Sequence, residues 1–62
     1  MNYLQSYLLD RINNVKIRIK QLEAILNKCN SVSMYKDIES ELHYKRCLLD
    51  EYVLIYQLTM EE

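Results

Sequence analysis

The side chains of this sequence that could do chemistry are two thiols, Cys29 and Cys47, one imidazole, His43, and a run of carboxylates at Asp37, Glu39, Glu41, Asp50 and Glu51. His43 follows Glu39 by four residues and Glu41 by two, and a carboxylate four residues from a histidine can share a metal ion on one helical face. Bundle metal sites need several such ligands converging from different helices, however. The first half of the chain offers only Asp10 and Glu23, neither opposite His43. His43 therefore reads as a solvent-facing residue among surface charges, and no metal or cofactor is expected. Carboxylates act as general acid and base when their surroundings push their pKa values apart, usually in a cleft. Two packed helices have no such cleft, so no catalytic residue is expected and the chain reads as a non-enzyme. Asp50 stands apart, because it lies in the most apolar stretch and must find a polar partner or point outward.

The elements that position these groups follow from spacing. Leu8, Ile12, Val15, Ile19, Leu22, Leu26 and Cys29 recur alternately four and three residues apart, the 3.5-residue period of a helix seam that another helix must cover. With no Gly and no Pro in 62 residues, little chain is left for turns or phosphate-cradling loops. The one cluster of helix-disfavouring residues is Asn30-Ser31-Val32-Ser33. Asn30 can end a helix in the left-handed conformation, and the Ser33 hydroxyl can cap the next. The expectation is a single all-α domain over 1–62: helix 1 about 3–29, a turn at 30–33, and helix 2 about 34–60, forming an antiparallel hairpin. One continuous helix is the alternative. Register argues against it, since the first heptad would continue onto polar Ser33 and Lys36 while the second restarts at Tyr35, Ile38, Leu42, Leu49, Tyr52 and Tyr56.

In such a hairpin Cys29 lies by the turn and Cys47 near mid-helix, too far apart for the Cα separation of about 7 Å that a disulfide tolerates. Cys29 reads as a small core residue, and Cys47 as a residue near the middle, where a dimer twofold could bring it to its mate.

The second helix has more apolar surface than one neighbour covers. Tyr44, Cys47, Leu48, Ile55 and Leu58 form a second face, and a helix apolar on most of its circumference is buried on most of it. Residues 1–31 sum to +3 and residues 32–62 to −4, so unlike helices attract and like helices repel, by a few tenths of a kcal/mol per exposed pair. A chain this short buries only about 60% of its unfolded surface and usually needs a staple or a partner. The expectation is a homodimer forming a four-helix bundle, with the second face as the dimer or protein-partner contact.

Arg11, Lys16, Arg18 and Lys20 are candidate contacts for a nucleic-acid backbone, although the net charge of −1 leaves the acidic second helix free to neutralise them. Tyr3, Tyr7 and Ile17 face outward on the first helix and are weak signs of a further contact surface. The longest apolar run, Tyr52 to Tyr56, is too short to cross a bilayer, and residues 1–5 have no secretory pattern. A cytoplasmic location without membrane contact is expected, and no small-molecule substrate.

In length and plan the chain resembles the plasmid copy-number RNA-binding proteins of the Rop type, short hairpins that dimerise into four-helix bundles. The segment Arg46-Cys47-Leu48-Leu49-Asp50 resembles, at Leu49 and Asp50, the Ser-Gln-Glu-Leu-Asp motif of the helical-hairpin aspartyl-phosphate phosphatases that restrain sporulation. The serine and that family's glycine-containing turn are missing. This second resemblance implies a role for Asp50 alone. From its residues the chain reads as a small regulatory or protein-interaction module acting by helix pairing. Its size is that of phage or plasmid accessory regulators and inhibitors of host proteins.

Overall fold

A computed structural model describes residues 2–61, which form two helices, α1 (Tyr3–Asn27) and α2 (Val32–Met60), packed antiparallel as a hairpin about 47 Å long. The continuous-helix alternative is excluded by this packing. Both helices begin on a side-chain cap. Asn2 Oδ1 accepts from the Gln5 N–H at 2.8 Å, and Ser31 Oγ accepts from the Met34 N–H at 3.4 Å.

The turn is displaced two residues toward the N-terminus from the sequence expectation. α1 ends at Asn27 rather than near Cys29, and α2 starts at Val32, placing Ser33 inside the helix. No described residue has a positive φ, so Asn30 is not a left-handed cap. Instead the last turn tightens: the N–H groups of Lys28 and Cys29 donate to the carbonyls of Ile25 and Leu26. Three-residue hydrogen bonds of this kind satisfy orphan carbonyls without a glycine. The Cys29 thiol donates to the Ser31 carbonyl at 3.3 Å and helps hold the linker. The true cap is Ser31, which predicts that Ser31→Ala lowers stability by about 1 kcal/mol in urea denaturation while Ser33→Ala changes it by a few tenths at most.

The core is a single seam. Leu8, Ile12, Val15 and Leu22 of α1 and Leu42 of α2 are buried, flanked by half-buried Ile19, Leu26, Ile38, Leu49, Tyr52 and Tyr56. On α2 the seam runs Ile38, Leu42, Lys45, Leu49, Tyr52, Tyr56 and Thr59, again four and three apart. Tyr35, expected to open it, is 41% exposed at the turn end of the hairpin, beside Cys29, Asn30, Ser31 and Val32. Lys45 holds a seam position where the apolar pattern skips. Its stem can cover the seam while the ammonium reaches out, 5.8 Å from the Tyr44 ring.

Candidate interaction surfaces

Three contacts fix the hairpin register. Gln5 Nε2 donates to the Thr59 carbonyl at 3.5 Å, Arg18 Nε pairs with Glu41 at 2.9 Å, and Arg46 pairs with Glu23 at 3.0 Å. At 3.6 residues per turn, Arg18 and Glu23 fall on opposite sides of the α1 seam, as do Glu41 and Arg46 on α2. The two ion pairs therefore close the hairpin along opposite flanks. All four side chains are largely exposed, so each pair contributes well under 1 kcal/mol. Their value is in register and in holding unlike helices together.

The flanks differ in character. The flank bearing Arg18 and Glu41 carries Leu4, Tyr7 and Ile25 of α1 and Tyr44, Leu48, Ile55 and Leu58 of α2. Of these Leu48 is half-buried against the seam, while Tyr44 is 61%, Leu58 54% and Ile55 43% exposed. Cys47 is exposed at the outer edge of this face. The sequence pattern picked out the α2 half of this surface. On α1 it named Tyr7 only as a weak sign of a further surface, with Tyr3 and Ile17, and did not name Leu4; Leu4 and Tyr7 stand at the level of Leu58 and Ile55 once the register is known. The opposite flank carries Lys16, Lys20, Glu23, Glu39, Arg46 and Asp50 and is mostly charged.

This geometry divides the four basic residues considered for a nucleic-acid backbone. Arg11 and Arg18 lie on the apolar flank, Lys16 and Lys20 on the charged one. Arg18 is engaged by Glu41. The Arg11 guanidinium lies 6.0 Å from the centre of the Tyr7 ring. Hydrogen bonding to Tyr52 is the largest influence raising its pKa above the ordinary value, followed by the charges of Tyr52 and Tyr7. Arg11 is thus an exposed cation beside the Tyr7 ring.

On the outer surface of α2, His43 Nε2 and Cys47 Sγ are 3.7 Å apart, one helical turn from each other. Among the described residues no group of three or more His, Cys, Asp or Glu side chains converges as a metal site. Cys29 and Cys47 are both free thiols. An open groove runs along the same surface, lined by Lys36, Glu39, Ser40 and His43. It follows one helix and has no opposing wall. Asp50 is exposed and makes no ion pair among the described residues. It has resolved its place in an apolar stretch by facing water. No helix among the described residues is long and apolar enough to cross a membrane.

Comparison with known proteins finds no family model, no curated protein and no solved structure that matches this chain.

Proposed function

We propose that this chain is a non-enzymatic interaction module of the regulatory kind, a helical hairpin that pairs with a second copy into a four-helix bundle and engages a protein partner through its remaining surface. The observation that carries the reading is the imbalance between covered and uncovered apolar groups. Five large apolar residues are buried, while Tyr44, Leu54, Ile55, Leu58, Leu4 and Tyr7 all remain more than 40% exposed. A folded chain of 7.5 kDa exposes roughly 4,250 Å², whereas this hairpin exposes 4911 Å². The excess is what pairing would remove. Sedimentation equilibrium over a concentration series tests this reading. A mass of two chains supports it, and a monomer throughout the micromolar range removes the dimer and leaves the apolar flank to a different protein.

A second reading is favoured by Asp50 alone. Its carboxylate is exposed on a rigid helix and is free of ion pairs among the described residues, as a group inserted into a partner's phosphorylated site would need to be. If the hairpin hydrolyses an aspartyl phosphate, adding it to a phosphorylated response regulator speeds phosphate release, and Asp50→Ala abolishes the gain. Equal rates with and without the hairpin dismiss this reading.

A further inference from the structure

We infer that the two copies pack through the flank bearing Arg11, Arg18 and Glu41 with their turns at the same end, so that α1 of each lies against α2 of the other. The inference rests on the dimer reading and adds its direction. Two hairpins can meet face to face about a twofold axis in two ways. If the axis runs across the helices, the turns lie at opposite ends and each helix meets its own copy. If it runs along the bundle, the turns lie together and each helix meets the other kind. Neighbouring helices are antiparallel in both arrangements, so helix direction does not choose between them.

Charge chooses. α1 lies in the half of the chain that sums to +3 and α2 in the half that sums to −4, so the turns-together arrangement sets unlike helices against one another. In the register fixed by the Gln5–Thr59, Arg18–Glu41 and Glu23–Arg46 contacts, Arg11 stands near the level of Glu51 and meets that residue of the second copy. The opposed arrangement instead brings Arg11 near the level of the copy's Arg18. Like charges so placed oppose association, and unlike charges favour it.

The apolar groups of this flank supply the area that pairing buries. On this flank Leu4, Tyr7, Ile55 and Leu58 stand toward the open end and Ile25 and Tyr44 toward the turn, all more than 40% exposed, so apolar groups run the length of the hairpin. With turns together, the two faces meet over the full hairpin. A face of 47 by 14 Å offers roughly 650 Å² per copy, close to the ~800 Å² of a standard interface.

The test is a distance across the dimer of the full chain. With Cys29→Ser and Cys47→Ser removing the native thiols, Asn30→Cys at the turn accepts a nitroxide for pulsed electron paramagnetic resonance. Helices 8–10 Å apart put the two labels within about 25 Å when the turns lie together. A separation near the 47 Å length of the hairpin in a chain of dimeric mass overturns the orientation and leaves the dimer standing. Absence of dipolar coupling in a chain of monomeric mass overturns both. A charge exchange with the thiols intact reads the same orientation. Arg11→Glu weakens association at least tenfold, and adding Glu51→Arg restores it. In the opposed arrangement Arg11→Glu relieves a repulsion, so tighter association, or failure of the rescue, overturns the inference.

Discussion

Ile55→Asp is expected to dissociate the dimer while leaving a helical hairpin. Ile55 is 43% exposed in the single hairpin, and its free side lies on the apolar flank with Leu48 and Leu58. Covering the remaining apolar area contributes about 2 kcal/mol per copy at ~25 cal/mol per Å². Placing a carboxylate there adds a desolvation cost that Arg11, one turn away along the flank, offsets only in part. Counted over two symmetric copies, a loss of roughly 4 kcal/mol or more raises the dissociation constant by about 10³-fold. Sedimentation equilibrium should therefore return the mass of one chain where the parent gives two. Far-UV circular dichroism on the same samples separates the alternatives. A retained helical signal assigns Ile55 to the interface, whereas complete loss of helix assigns it to the intramolecular core.

Leu22→Ala should have the opposite character, unfolding the hairpin itself. Leu22 is the most completely covered side chain, at 2% exposure, and with Leu42 at 3% belongs to a core of only five buried residues. Leucine-to-alanine changes at such sites cost about 2.7–5 kcal/mol, growing with the cavity left behind. Stabilities of whole domains are only about 5–15 kcal/mol, with the smallest domains at the low end. The expected outcome is a large drop in the urea midpoint and, at low protein concentration, loss of cooperative unfolding at room temperature. A change below 1 kcal/mol would mean that the seam repacks freely and is not the structural core.

Most of the buried face of the first helix was readable in its spacing, although Cys29, placed on that seam, lies beyond the end of α1. Leu8, Ile12, Val15 and Leu22 are buried as the heptad requires, and Ile19 and Leu26 are half-buried beside them. The second helix was harder, because apolar residues surround it and no single face stands out. Its seam passes through Lys45 and Thr59, which an apolar pattern cannot flag. Tyr35, which the pattern included, is 41% exposed at the turn end of the hairpin. The turn moved because capping is a local competition. Ser31 and Ser33 are chemically alike, and which of them caps depends on how far α1 extends before three-residue hydrogen bonds close it.

What the sequence determined by itself is the pair of helices, the polar joint between them and the covered stripe of α1. Those follow from side-chain period and from the absence of Gly and Pro, which are local properties of the chain. Only the tertiary structure decided the flanks. Once Gln5 meets Thr59 and the two ion pairs close on opposite sides, Leu4 and Tyr7 join Ile55 and Leu58, Arg11 and Arg18 part from Lys16 and Lys20, and Asp50 turns to water. Residues more than forty positions apart become neighbours through interhelical register, and register is set by how two seams interlock, which neither helix encodes alone.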